Sequence, residues 1–428
     1  MIQDSTQAPA RSRAFSLPII YIPRQKLFWA VSLGHLTNDT FMSMASVLLA
    51  FISVNVLPLS KVQIGLILGI AALLGAVTQP FFGLLADRSG GRWLGAGGVA
   101  WTVGFVLLAI IAADSGIFPL MVAAFIIPAL GNGAFHPVGA KYSAESDHAH
   151  TSGNMAYFFL MGQLGLALGP ALAGRLLDHA GTFNYVFTTN LGPAFHGLLI
   201  ERGTVSPVLW LGLFAVPIVL MMAVYIPSRR THLERKATAP TTAVPARVTI
   251  PVLAFVVLLL MVTLRSLAQP GIVSFIPVLF QEKGWTPAEY GLITSSFWVG
   301  SGLAGVFFGT LADRYDRRKV IAFSMVASAP AFFFLPVTDG VLAFALAIAA
   351  GALSGASHSI IVVLAQGLLP GSKALASGLI LGLIFGMGAV GSFLIGGLAE
   401  AIGLNAVFQI AAGAIVGASL LALALPRG

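Results

Sequence analysis

The chain has 428 residues, of which 57% are hydrophobic and only 9% charged, against about 25% charged in an ordinary soluble domain. So few charges cannot cover a water-facing surface of that size, and the mean hydropathy of +0.92 agrees, so the outer surface faces lipid. The absence of cysteine excludes disulfides, thiolate metal sites and cysteine nucleophiles, and the net charge of +8 reads as membrane topology rather than nucleic-acid binding.

Residues 1–26 are polar and carry Arg11, Arg13, Arg24 and Lys26, without the short apolar core and cleavage site of a signal peptide, so they read as a cytoplasmic tail. A spanning helix needs about 20 apolar residues, because each adds about 1.5 Å across a hydrocarbon core of about 30 Å. Six such runs begin near Leu27, Val62, Leu94, Ile117, Thr151 and Pro207, and make up a first bundle over 27–226. Between the fifth and sixth, Asp178 to Ser206 forms a long, mildly polar connection. A linker over 227–250, rich in Pro, Thr, Ala, Arg and Lys, separates this bundle from a second over 251–428. The second bundle's runs begin near Pro251, Ala288, Val320, Val341, Ala374 and Leu404. The expected fold is therefore an all-α membrane protein of twelve transmembrane helices in two six-helix bundles.

Lys and Arg concentrate in alternate loops. Arg88 and Arg92, Lys141, the linker's Arg229, Arg230, Arg235, Lys236 and Arg247, then Arg314, Arg317, Arg318 and Lys319, Lys373 and Arg427 fall on one side. The other side has little beyond Lys61, Arg202 and Lys283. By the positive-inside rule both termini are cytoplasmic, which requires an even number of crossings. Trp29, Trp93, Trp210 and Trp285 fall near run ends, where amphipathic rings favour the membrane interface.

The halves repeat. Gly83-Leu84-Leu85-Ala86-Asp87-Arg88 recurs 226 residues later as Gly309-Thr310-Leu311-Ala312-Asp313-Arg314. Gly133-Ala134-Phe135-His136 recurs after 222 residues as Gly355-Ala356-Ser357-His358, and Ser152-Gly153 after 225 as Ser377-Gly378. Parallel repeats of this kind place a binding site between the halves near the bilayer midplane, about which they can rock.

Ionisable groups inside spans are costly and are functional candidates by default. Asp39 lies mid-run in the first span, with His35 and Asn38 on the same helical face. Arg265 lies mid-run in the seventh, His136 in the fourth and His358 in the tenth. Asp39 and Arg265 are 226 residues apart, the spacing of the repeat, so pseudo-symmetry places an acid and a base opposite each other. Asp39 is the candidate proton carrier, with His35 beside it. Arg265 presents a planar fork of donors suited to a phosphonate, phosphate or carboxylate; Asn38, His136 and His358 are further candidate substrate contacts, and the two histidines could equally relay protons. The plainer readings are that Asp39 caps backbone, that Arg265 is a structural ion-pair partner, that His35 and Asn38 only orient Asp39, and that His136 satisfies a backbone kinked by Pro137. The Gly-rich stretches of the fifth and eleventh spans permit close helix approach; no strand precedes them, so they are not phosphate-binding loops.

Gly83, Asp87, Arg88, Gly90 and Arg92 resemble the loop motif of the major facilitator superfamily, with Gly91 in place of a usual basic residue and Asp316 replacing Gly in the second copy. The resemblance extends over essentially the whole chain. Gly165, Gly169-Pro170 and Ala173-Gly174 look like the fifth-helix motif of proton-driven drug antiporters, with hinge and packing roles. Gly34-His35-Leu36-Thr37-Asn38-Asp39 and Phe135-His136-Pro137 look like signatures of the fosmidomycin-resistance family of exporters. The resemblance implies that spans one, four, seven and ten line a central cavity, and that Asp87, Arg88, Arg92, Asp313 and Arg314 form a gating latch for the state closed to the cytoplasm. It implies a secondary transporter, with proton-coupled efflux of a small, anionic compound or antibiotic the first expectation. Proton-coupled uptake of an organic anion is the alternative, and a sensor that has lost transport is a third. No hydrolase or metalloprotease motif accompanies these residues, so no enzyme activity, cofactor or metal is expected. The expected setting is a bacterial inner membrane, the expected partners a small molecule, protons and lipid, and the expected state a monomer.

Overall fold

The computed structural model describes residues 22–147, 151–178, 205–228, 252–368 and 373–425. Most of the tail, most of the connection before Ser206 and most of the linker lie outside these residues. Among the described residues there is no strand. The helices of the first half are α1 (Lys26–Asn55), α2 (Lys61–Ser89), α3 (Arg92–Asp114), α4 (Phe118–Ile126), α5 (Pro128–Glu145), α6 (Thr151–Asp178) and α7 (Gly212–Tyr225). Those of the second are α8 (Val252–Glu282), α9 (Pro287–Arg314), α10 (Arg317–Phe334), α11 (Gly340–Leu368), α12 (Lys373–Ile402) and α13 (Leu404–Leu423). Pro128, which has no N–H to donate, divides one span into α4 and α5. A 3₁₀ turn, Ser206–Leu211, extends α7. Eleven of the resulting twelve spans are long and apolar enough to cross a membrane. The twelfth, α9, has the length at 28 residues.

The repeat reaches further than the motifs that revealed it. α2 begins with a capping box, in which Ser60 accepts from the Gln63 N–H while the Gln63 side chain accepts from the Ser60 N–H. α9 begins with the same device built from Thr286 and Glu289. Each satisfies helix-terminal donors that would otherwise lack partners. Arg92, at the start of α3, donates to Ile226 O at 2.8 Å, just past the end of α7. Arg318, at the start of α10, likewise donates to Leu425 O at 2.7 Å, just past the end of α13. A cation thus closes the carbonyl end of the last helix in each half. Asp316, where the superfamily motif favours Gly, caps α10, and hydrogen bonds from Arg318 hold its carboxyl down at about 2.

Large apolar side chains such as Val77, Phe81 and Leu84 of α2, Phe214 and Leu220 of α7, and Leu303 and Phe307 of α9 face outward. Such a sheath is unfavourable in water and fits the acyl chains of a bilayer. Buried polar residues are instead most numerous on α1 (His35, Thr37, Asn38, Asp39 and Thr40 among them) and α8 (Arg265, Ser266 and Gln269).

The halves meet along two seams related by the repeat, α2 against α12 and α6 against α9. Both are lined with glycine, whose missing side chain lets backbones approach closely. A Cβ on Gly65 would fall 2.6 Å from Ser392 O and 3.2 Å from Gly396 Cα, and one on Gly174 would fall 3.1 Å from Gly291 Cα. At the same end Lys61 of α2 pairs with Glu282 of α8 at 2.7 Å. The Lys61 N–H also donates to Glu400 of α12 at 3.0 Å. This closed end lies away from the chain termini. Toward the other end a Cβ on Gly305 of α9, or on Gly382 or Gly386 of α12, would meet nothing within 4 Å. There the ion pairs Asp87–Lys141 and Asp316–Arg318 each stay within one half.

A side chain at Gly174 should therefore prop the closed end apart. Tyr290→Cys, placed at a side chain that is 2% exposed beside this seam, is the reporter, since the chain has no other thiol. Adding Gly174→Leu is expected to speed its reaction with a maleimide about tenfold, a shift of about 1.4 kcal/mol in the opening equilibrium. An unchanged rate would show that the seam does not control this end.

Candidate functional site

The first polar cluster is built on α1. Three- and four-residue spacing puts His35, Asn38 and Asp39 on the face that α5 and α6 cover, and all three are buried. His35 Nε2 lies 3.3 Å from Asp39 Oδ2. His136 Nε2, from α5, lies 3.6 Å from Asp39 Oδ1. Asn38 Nδ2 donates to the same Asp39 Oδ1 at 3.0 Å and to Asn132 Oδ1 at 2.6 Å. The carboxylate is therefore ringed by two imidazoles and an amide.

The other ring nitrogens fix the chemistry. His35 Nδ1 lies 2.8 Å from Phe158 O, and His136 Nδ1 lies 3.0 Å from Asn132 O. A backbone carbonyl only accepts, so each Nδ1 carries its hydrogen. In the neutral rings both Nε2 atoms are then acceptors, and they face a carboxylate that is also an acceptor. Three converging lone-pair groups repel one another unless a proton lies between them, on the carboxyl or on an imidazole. The geometry can thus store and release a proton with little movement of its atoms. The same three residues form the one group among the described His, Asp and Glu side chains that could hold a metal ion, their ligating atoms all lying within 4.8 Å of one another.

Steric fit holds this arrangement. The His35 ring stacks on Phe158, centroids 4.1 Å apart. A Cβ on Gly162 would fall 2.5 Å from His35 Cε1, and one on Gly165 would fall 3.0 Å from Asp39 Cβ. Gly165 and Gly169 therefore pack α6 onto α1, while Pro170 and Gly174 pack it onto α9.

The second cluster is built on α8. Arg265 is 3% exposed. Its Nε donates to Ser357 Oγ of α11 at 2.8 Å and its Nη2 to Ser354 O at 3.3 Å. Among the described residues no carboxylate pairs with it. Asp39 and Arg265 share equivalent places in the repeat, yet no ion pair joins them: Asp39 is held by His35, Asn38 and His136, and Arg265 by serine oxygens. His358 of α11 lies within electrostatic reach of Arg265. One turn beyond Arg265, Gln269 Oε1 is buried without a hydrogen-bond partner.

His136, expected as a substrate contact or proton relay, lies beside Asp39 in the first cluster. The plainer reading of Arg265 as a structural ion-pair partner finds no carboxylate among the described residues; its guanidinium donates to Ser357 and Ser354 of α11. In the loop motif, Asp87 pairs with Lys141 of its own half at 2.6 Å. Arg92 grips Ile226 O, and Arg88 and Arg314 are exposed. The side chain of Asp313 lies outside those described. Sequence reasoning passed over Asn132, Ser354, Ser357 and Phe158. Asn132 and Ser354 each stand one turn before a residue already singled out, His136 and His358, and that spacing was the available signal.

Comparison with known proteins bears on the whole chain. The family model described as Major Facilitator Superfamily matches residues 31–279 and again 253–428. The chain is 26% identical to the Fosmidomycin resistance protein of Escherichia coli (strain K12), over 90% of this chain and 88% of that one. It is 27% identical to the Uncharacterized MFS-type transporter YfnC of Bacillus subtilis (strain 168), over 91% and 86% respectively. Among solved structures it is similar to an inward-facing bacterial homologue of the human lysosomal transporter Spinster, with TM-score 0.67, 15% identity, and 93% of this chain and 94% of that one covered. It is also similar to the inward-open xylose transporter XylE from E. coli, with TM-score 0.66, 13% identity, and 94% and 96% covered.

Proposed function

This chain belongs to the major facilitator superfamily, and on that premise we propose that it exports a small anionic compound across a bacterial inner membrane by alternating access, driven by protons. That it is a multi-pass membrane transporter of small molecules follows from the family; this family and fold are those of transporters, not enzymes. The finer reading rests on one observation above the rest, the buried and unpaired Arg265. Holding a guanidinium in the membrane interior without an anion costs on the order of several kcal/mol. An incoming oxyanion removes that cost by supplying the missing partner, and the guanidinium fork gives it two parallel hydrogen bonds. Gln269 and His358 stand beside it to add polar contacts.

The proton enters through His35, Asp39 and His136, whose facing acceptors need a proton between them. Because this cluster sits in one half and Arg265 in the other, cargo and proton occupy different sites, and rocking of the halves couples them. The positive-inside distribution sets both termini in the cytoplasm, so the glycine-packed end held by Lys61 and Glu282 is the outer one, closed in this state. Asp87, Arg88, Arg92, Asp313 and Arg314 then act as the latch of the opposite state, with Lys141 holding Asp87 until the halves swing. Each monomer carries a complete set of these residues. Export rather than uptake is favoured by the name of the E. coli relative, which makes fosmidomycin the first cargo to test.

The test is uptake of labelled fosmidomycin into inverted vesicles holding the full chain. Acidifying the vesicle interior is expected to drive accumulation. Equal flux with and without the gradient would remove proton coupling, and accumulation only in right-side-out vesicles would make the protein an uptake symporter.

A further inference from the structure

One helix touches both the proton cluster and the seam between the halves. α6 leaves room for the His35 ring at Gly162, stacks Phe158 on that ring, and offers Phe158 O to His35 Nδ1 at 2.8 Å. Three residues on, Gly165 lies against Leu36 O and Asp39 Cβ, and Gly169 lies against Thr40 and Ser43. One face of α6 therefore follows α1 over two turns, and follows the very turn that bears His35 and Asp39. Another face meets the second half: a Cβ on Gly302 of α9 would fall 3.3 Å from Gln163 Cβ, and Pro170 and Gly174 meet Gly291 and Pro287. α6 itself brings no titratable side chain to His35. The titratable groups facing His35 are Asp39 of α1 and His136 of α5.

We propose that α6 transmits the occupancy of the proton cluster to the α6/α9 seam, with Gly162 and Phe158 as positioning residues of His35. The inference rests on the reading of that cluster as the proton carrier. When a proton arrives or leaves, the facing acceptor atoms of His35, Asp39 and His136 attract or repel. The His35 ring is wedged against α6 with no free space at Gly162, so a shift of the ring must displace α6 or be resisted by it. The same helix continues through Pro170 to pack on Pro287 and Gly291, where the halves touch, so the displacement is carried to that contact. The α2/α12 seam has no equivalent, since the repeat counterpart of His35 is Met261.

The absence of cysteine permits a direct measurement. Spin labels at Trp93→Cys and Tyr315→Cys, exposed positions in opposite halves at the terminal end, report the separation of the halves in the ligand-free full chain. Lowering the pH from about 8 to about 5.5, across the usual range of imidazole, is expected to change the distance distribution. Gly162→Ala, which drives a methyl group into the His35 ring, is expected to reduce that change by at least about half. Phe158→Leu, which keeps the carbonyl and removes the stacked ring, should do the same, and serves if Gly162→Ala does not fold. Gly104→Ala, where a Cβ meets nothing within 4 Å, should leave the response unchanged. A full response in both Gly162→Ala and Phe158→Leu, with Asp39→Asn abolishing it, overturns the relay alone. A full response in Asp39→Asn overturns the proton reading itself. No response in the parent chain overturns both.

Discussion

Asp39→Asn is expected to collapse flux driven by a pH gradient to the uncoupled leak, a loss on the order of 100-fold. Exchange of cargo for cargo at equal pH should survive. The carboxyl is the only acid in the cluster, and it is the atom set on which both imidazoles converge. Asparagine keeps the shape, and its N–H can face His35 Nε2 while its oxygen still accepts from Asn38, so the carboxyl as a proton site is lost although both imidazoles remain. It should fold and express normally, because a neutral amide is easier to bury than a carboxylate. The check is a pair of assays on the same proteoliposomes: gradient-driven uptake, and counterflow without a gradient. Loss of both would mean that Asp39 holds cargo or structure. Retention of both would remove it from the mechanism. His35→Gln tests the neighbouring position and should slow coupled flux more than counterflow, since Asp39 and His136 still converge in its absence.

The reach of the sequence varied with the physics. Apolar runs are long and their length is set by the bilayer, so the starts near Val62, Ala288 and Leu404 fall within a residue of Lys61, Pro287 and Leu404. The face shared by His35, Asn38 and Asp39 was legible because it depends only on helical periodicity. The placement of His136 was not, because it depends on how α5 is rotated within its bundle, where Gly131 packs on α3 and Gly133 on α2. The repeat spacing makes Asp39 and Arg265 equivalents, but equivalence is not contact. Each is claimed by its own half, Asp39 by His136 and Arg265 by Ser357. The seam charges Lys61, Glu282 and Glu400 carried no motif at all. Their pairing comes from three helix ends meeting, a tertiary fact without local trace.

Arg265 leads to the sharpest expectation, since stability and function should move in opposite directions. A buried cation with serine partners and no carboxylate is a destabilised feature, kept for what it binds. Arg265→Met fills similar volume with apolar atoms and leaves Ser357 Oγ bonded to Ser354 O, at 2.8 Å. Replacement of a buried ion by a well-packed apolar side chain stabilises by about 1–4 kcal/mol in favourable cases, so the melting temperature of the ligand-free protein should rise. Binding of an anionic cargo should fall by about 2–5 kcal/mol, the loss that accompanies removal of one partner from a buried charge pair, or roughly 30-fold to several thousand-fold. Arg265→Lys keeps the charge and loses the fork, so affinity should drop by about tenfold, near the value of one charge-assisted hydrogen bond of about 1.5 kcal/mol. Thermal unfolding with and without fosmidomycin measures both quantities on one sample, because a ligand that binds only the folded state raises the transition by mass action. Ligand-induced stabilisation in the parent that disappears in Arg265→Met, on a higher ligand-free baseline, is the expected pattern. A lower baseline would show that Arg265 is a structural tie of α8 to α11, and undiminished ligand stabilisation would place the anion elsewhere in the cavity.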